Sequence, residues 1–285
     1  MATPEPVGDR HSRILGGDRE EGARNVAIAL ASTAVFIALA VVLVVTSKGW
    51  DEVRSAFFDR DVFDASFPDI AHAFLLNVRI FLIAEVVILV GALAIAALRS
   101  LPGPVFFPIR TLAIIYTDLF RGVPTVLVIY ILGFGAPALD IPGVPRSPLF
   151  WVIVALVLVY SAYVSEVYRA GIESVHPSQD AAARSLGLTA GQSLQSVILP
   201  QAVRRVIPPL LNDFIGLQKD TALVALIGPV EAFRQSQIEV AGAFNYTPYV
   251  ATAFLFLVLT IPMARLTDWL IARDRRRLLA GGGTR

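Results

Sequence analysis

Six stretches of the chain carry mostly apolar runs of about 20 residues, the length a helix needs to cross a bilayer core where water cannot satisfy its backbone. Residues 26–46 are the cleanest, a run of Ala, Val, Leu and Ile without a charge. Residues 72–98 are interrupted only by Arg79 and Glu85. The third stretch, 111–134, contains Asp118, Arg121 and Pro124, so its first half is expected to lie along the interface before the chain enters the bilayer. Residues 149–165 are short but apolar, and 248–264 run on toward Trp269. Between them, 206–228 hold Pro208, Pro209, Asn212, Asp213, Lys219 and Asp220, the most polar of the six. The pattern predicts an all-α polytopic membrane protein.

Composition agrees. Charged residues make up 16% of the 285 and hydrophobic ones 55%, whereas a soluble domain carries about 25% charge. With Cys 0, disulfide scaffolds and thiolate metal sites are excluded. His11, His72 and His176 show no metal-ligand spacing, so no metal site is expected. The first apolar run is too long for a signal-peptide core, and Lys48-Gly49-Trp50 offers no small-residue cleavage site; it reads as a retained span of a chain starting near Met1. Six spans put both ends on one side. Arg10, Arg13, Arg19 and Arg24 precede the first span, and Arg273, Arg275, Arg276 and Arg277 follow the last, so both termini are expected in the cytoplasm. The stretch 169–205, with Arg184 and Arg204, then falls inside, and 47–71 falls outside despite Lys48, Arg54 and Arg60.

The long inner loop has a local shape of its own. Ser178 is placed to cap a helix with Asp180 in its first turn and an Ala run behind it. Gly187 suits a left-handed helix end, and Thr189 is placed to cap a second helix running to Leu199, where Pro200 is expected to break it. The loop therefore reads as two short helices at a sharp turn on the inner membrane face, serving as a connector or as a docking element.

A family resemblance enters on this loop. Ala181-Ala182-Ala183, three residues, Gly187, nine residues and Val197-Ile198-Leu199-Pro200 resemble the E-A-A, three, G, nine, I-x-L-P signature of binding-protein-dependent ABC importer permeases. Glu166-Val167-Tyr168-Arg169-Ala170-Gly171, Leu199-Pro200-Gln201-Ala202, Lys219-Asp220-Thr221-Ala222-Leu223 and Asp118-Leu119-Phe120-Arg121-Gly122-Val123-Pro124 are similar to the polar amino-acid branch. The resemblance covers about residues 75–271. It implies a type I ABC importer transmembrane fold, a five-helix core plus one extra N-terminal span. The implied layout is a tail at 1–25, the extra span at 26–46, an acidic outer loop at 47–71, a permease core at 72–271 with a coupling loop at 174–200, and a basic tail at 272–285.

Two positions depart from the branch pattern. Ala181 stands where the signature has Glu, and Asp180 lies one place earlier, about 100° away around a helix. Val123 stands where Thr is usual, removing a hydroxyl near the implied substrate path.

The resemblance implies that the loop docks into a cleft of a cytoplasmic ATPase. Ala182 and Ala183 would permit close approach, Leu186 and Leu188 would anchor, Gly187 would make the corner, and the contact of the missing Glu would fall to Asp180, to Arg184 or to neither. The chain has no G-x-x-x-x-G-K-[ST] loop, and its only lysines, Lys48 and Lys219, are followed by the wrong residues. ATP and Mg are thus expected on a partner ATPase and no cofactor on this chain. Also implied are a second permease chain, identical or sister, an extracytoplasmic solute-binding protein, a polar amino-acid substrate, surrounding lipid, no nucleic acid, and a place in the bacterial cell membrane.

Charges inside spans are costly and point to a wet interior or to partners. Glu85, Asp118, Arg121, Glu166, Asp213, Lys219 and Asp220 form that set. Residues 122–124 and 219–221 invite unwinding, which frees backbone groups for a zwitterion. The implied pathway residues are Arg121 for the carboxylate, Glu166 or Asp220 for the ammonium, and Thr221 beside them. Asp118 and Arg121, three apart on a helix, are equally placed to pair with each other, and Asp213 to bond beside the Pro208-Pro209 kink. A stand-alone carrier or channel is the competing function, but it leaves the loop spacing unexplained. A membrane enzyme lacks a constellation such as H-E-x-x-H or G-x-S-x-G.

Overall fold

The computed structural model describes the backbone over residues 8–281 and the side chains over 24–273. The orientation argument from Arg10, Arg13, Arg19 and Arg275 to Arg277 therefore lies outside the described side chains. The chain forms two compact units, residues 1–56 and 57–285.

In the first unit, α1 (Gly8–Val45) is one unbroken helix, and every described residue along it, 24–45, is exposed. Its few hydroxyls fold back on the helix, Ser32 and Thr33 both donating to the Ala29 carbonyl. That pairs both hydroxyl donors within the helix on an otherwise apolar exposed surface. Thr46 and Ser47 donate to the Val42 and Val44 carbonyls where the helix ends. Then α2 (Trp50–Phe57) opens with Asp51 and Glu52 beside its positive end.

The second unit is a helical bundle around α3 (Arg60–Arg99) and α6 (Pro148–Glu173). Asp59 caps α3 by accepting from the Asp61 and Val62 backbone N–H groups. Residues 60–71, expected in an outer loop, are therefore helical, and the helix continues through Pro68. Along α3 the buried positions Ile80, Phe81, Ala84, Ile88 and Ala92 form one stripe, which meets Val152, Ala155, Leu156 and Val159 of α6.

Next come α4 (Phe107–Gly122) and α5 (Thr125–Ala138), which meet at 103°. Pro124 lacks an N–H and Val123 is extended, so the helix cannot run through, as the sequence predicts for 122–124. After α6, α7 (Pro177–Ser185) and α8 (Ala190–Ser193) pass through a π turn (Leu194–Ile198) into α9 (Leu199–Asp220). A 3-10 segment (Thr221–Ile227) extends α9, and α10 (Ala232–Ala243) and α11 (Thr247–Gly281) close the chain. Gly171 of α6 lets α9 approach, since a Cβ there would strike Val206 and sit 3.4 Å from the Ala202 carbonyl.

Among the described residues four helices are long and apolar enough to cross a membrane, and the α4–α5 pair, bent by 103°, passes the same test only when its two helices are counted as one span. The sixth apolar stretch, 206–228, falls on α9 and its 3-10 extension. It does not qualify by composition, carrying the half-buried Asp213 and Asp220 and the exposed Lys219.

Candidate functional site

The segment 177–199 is an elbow. Pro177 takes the first position of α7, and the cap is His176, whose Nδ1 accepts the Ser178 N–H at 3.2 Å. Ser178 therefore lies inside the helix rather than capping it, because Pro177 forces the preceding residue to be extended. The helix closes at Gly187, φ +89°, with Leu188 N–H reaching the Ala183 carbonyl at 3.2 Å. Thr189 caps α8 as predicted, and Gln192 returns a bond to the Thr189 N–H at 2.9 Å.

Pro200 does not break the chain. Immediately before it the ladder widens, with Leu199 N–H bonding Leu194 five residues back. That wider turn accommodates the proline, so the elbow runs directly into α9.

Leu186 is 82% exposed at the corner, with Ala182 and Arg184 also exposed, while Leu188 is half-buried and Ala183 is buried in the chain itself. Asp180 does not project outward: its Oδ1 accepts from Ser193 Oγ at 2.5 Å.

A cavity of about 450 Å³ opens between the end of α4, α6 and α9, lined by Arg121, Tyr163, Glu166, Arg205, Pro209 and Asp213 among others. Glu166 is its electrostatic centre. It accepts from Arg99, from Arg169 Nη2 at 2.7 Å and Nε at 3.1 Å, and stands 4.0 Å from Arg121 Nη1. Arg169 also pairs with Glu173, one turn on. The Arg121 guanidinium lies 5.8 Å over the Tyr163 ring, and Tyr163 Oη donates to the Arg121 carbonyl at 3.3 Å. Arg121 thus faces Glu166 and Tyr163, and its pairing with Asp118 is not formed. Asp213 lines the same cavity, but its buried Oδ2 has no hydrogen-bond partner among the described residues. The bond expected for it beside Pro208-Pro209 is therefore not made through that oxygen.

Asp220 and Thr221 lie elsewhere, at the change from α-helix to 3-10 helix. Asp220 accepts from Tyr160 Oη at 2.9 Å. Thr221 is fully buried, receiving Asn77 Nδ2 at 3.1 Å and donating to the Gln218 carbonyl at 2.7 Å. Of the four predicted pathway residues, the structure brings together Arg121 and Glu166 and sets Asp220 and Thr221 apart.

Residues 104–276 match the family described as binding-protein-dependent transport system inner membrane component. The chain belongs to this family. It is 33% identical over 205 residues to the probable amino-acid permease protein YxeN of Bacillus subtilis, covering 72% of this chain and 90% of that one. It is 33% identical over 199 residues to the probable glutamine ABC transporter permease protein GlnM of the same organism, covering 67% and 88%. In fold it resembles a crystal structure of an amino acid ABC transporter, with a TM-score of 0.66 and 29% identity over 72% of this chain and 94% of that one. The methionine transporter MetNI, at 15% identity, 72% and 95% coverage and a TM-score of 0.58, shares the fold. The chain is accordingly a type I permease subunit, a transport component rather than an enzyme.

Sequence reasoning missed several polar residues that organise this permease. Asn77, at 2% exposure on the buried stripe of α3, donates to Thr221 and to Glu231 Oε2 at 2.8 Å, and accepts from the Ala232 N–H at 3.1 Å. Glu231, fully buried, caps α10 through the Phe233 and Arg234 N–H groups at 3.0 and 2.8 Å. Burial pushes its carboxyl above the usual range, against the pull of the donors from Phe233, Asn77 and Arg234. Asn77 was findable as the lone amide in an apolar span at core spacing. Arg99 was not, because its partner lies 67 residues away.

Proposed function

We propose that this permease is the membrane subunit of an ATP-driven importer for polar amino acids of the glutamate, glutamine and basic class. Its relatives' names, amino-acid and glutamine permeases, support the substrate class. In this reading a cytoplasmic ATPase holds ATP and Mg, a second permease chain completes the pore, and a solute-binding protein delivers cargo from outside. The chain sits in the bacterial cell membrane with both termini in the cytoplasm.

The observation that carries the reading is the continuity of the elbow with α9. Leu186 stands exposed at a corner whose second arm becomes, through the π turn, the helix carrying Arg205, Pro209 and Asp213 into the cavity. A push on α7 thereby reaches the cavity wall. There Arg121 receives the substrate carboxylate, held by Glu166 and Tyr163 with donors still facing the space. Glu166 already serves arginines, so it orients Arg121 rather than taking the ammonium group, which the unpaired oxygen of Asp213 accepts. Asp220 and Thr221 lie further along the same helix path.

Uptake by the reconstituted complex, with unlabelled amino acids as competitors, tests the substrate class. Arg121→Lys, Glu166→Gln and Asp220→Asn variants that retain assembly test the route. Altered substrate dependence is expected for Arg121→Lys and Glu166→Gln and wild-type dependence for Asp220→Asn, which lies outside the cavity; wild-type dependence in the first two overturns the site.

A further inference from the structure

Two short helices, nine and four residues long, hold no fixed angle by themselves, because helices of that length are marginal without tertiary support. The described bonds between them are few. Leu188 N–H to the Ala183 carbonyl closes the corner, and one side-chain bond crosses it, Ser193 Oγ donating to Asp180 Oδ1 at 2.5 Å. Ser193 is fully buried and is the last residue before the π turn, while Asp180 stands in the first turn of α7. The bond therefore joins the end of α7 farthest from the corner to the base of α9.

We propose that Asp180 is a positioning residue that fixes the angle between α7 and α9 through Ser193, and not a contact with the ATPase subunit. This rests on reading 177–193 as the coupling element. The displacement of the carboxylate by one residue from the family signature gives the physical reason. A rotation of about 100° turns the group from the outer face of α7 to the inner one, where Ser193 lies. Without the bond α7 pivots at Gly187, and part of each stroke bends the elbow instead of moving α9.

The test uses full-length permease reconstituted with its ATPase subunit, reading substrate imported per ATP hydrolysed and the amount of ATPase retained on purification. A hydrogen bond to a charged group is worth enough to shift the elbow by about tenfold. Asp180→Ala and Ser193→Ala are each expected to lower import per ATP by up to about tenfold, with the double variant no worse than either. Asp180→Asn keeps an acceptor oxygen and is expected to stay near wild type. ATPase retention is expected to be unchanged in all four. Amide hydrogen exchange over 177–199, faster in both alanine variants, reports the elbow independently of transport.

A wild-type ratio in Ser193→Ala, with Asp180→Ala and Asp180→Asn equally damaged or stripped of ATPase, overturns the proposal by placing the carboxylate on the partner. Unchanged exchange in both alanine variants also overturns it. Uptake by the wild-type complex that needs no ATP defeats the coupling reading instead, and the exchange measurement still reports the bond.

Discussion

Gly187 offers the sharpest test of the elbow because its demand is purely conformational. Its φ is +89°, and nothing lies within 4 Å of where a Cβ would stand, so a side chain meets no neighbour. What a substitution changes is the left-handed backbone, which costs a non-glycine residue about 1–2 kcal/mol, a shift of roughly 5–30-fold in the fraction of formed corner. Asn tolerates this region best, Ala less and Val least. Pro cannot adopt it at all, and it also removes the N–H that bonds the Arg184 carbonyl at 3.0 Å. Import per ATP by the reconstituted complex is expected to fall in the order Gly, Asn, Ala, Val, Pro, with Gly187→Pro uncoupled although it reaches the membrane. A wild-type ratio in Gly187→Val or Gly187→Pro, with the complex assembled, refutes the claim that this corner transmits force.

Gly171→Leu drives a side chain into Val206 and toward the Ala202 carbonyl, so thermal stability in detergent should drop by about 1–3 kcal/mol or more. Glu166→Gln leaves Arg99, Arg121 and Arg169 without their common carboxylate; with the Arg99 and Glu166 side chains only 13% and 15% exposed, a loss of about 3 kcal/mol is expected in thermal unfolding. Glu173→Gln, 62% exposed, should cost less than about 1 kcal/mol in the same assay. Because burial raises the Glu231 carboxyl above 4.5, the fold opposes its ionisation. Its contribution to stability is present below about pH 4.5 and is lost as pH rises through the raised value, so Glu231→Gln should flatten that limb of a melting temperature against pH series.

Local chemistry made much of this molecule readable. The break at Val123-Pro124, the left-handed Gly187 and the Thr189 cap each depend on a residue's own backbone limits and its near neighbours. The misses share another cause. Residues 60–71 read as a solvated acidic loop because the sequence shows Asp59 as a charge and not as a cap. Pro200 reads as a stop because a π turn has no compositional signal. His176 took the cap from Ser178 because Pro177 shifted the helix start. At the site, Arg121 and Glu166 were identified singly, but their contact depends on the packing of α4 against α6, and the arginine that binds Glu166 most closely comes from the far end of α3. Asp220 and Thr221 were drawn into the pathway by sequence adjacency to the break, while the structure uses Thr221 to fasten that break to Asn77.

The most direct measurement is amino-acid accumulation in vesicles holding the permease and its binding protein, with and without the ATPase subunit and internal ATP. The account predicts concentrative uptake only when both subunit and nucleotide are present, and none from the permease alone under an ion gradient. Gradient-driven accumulation by the permease alone would contradict it.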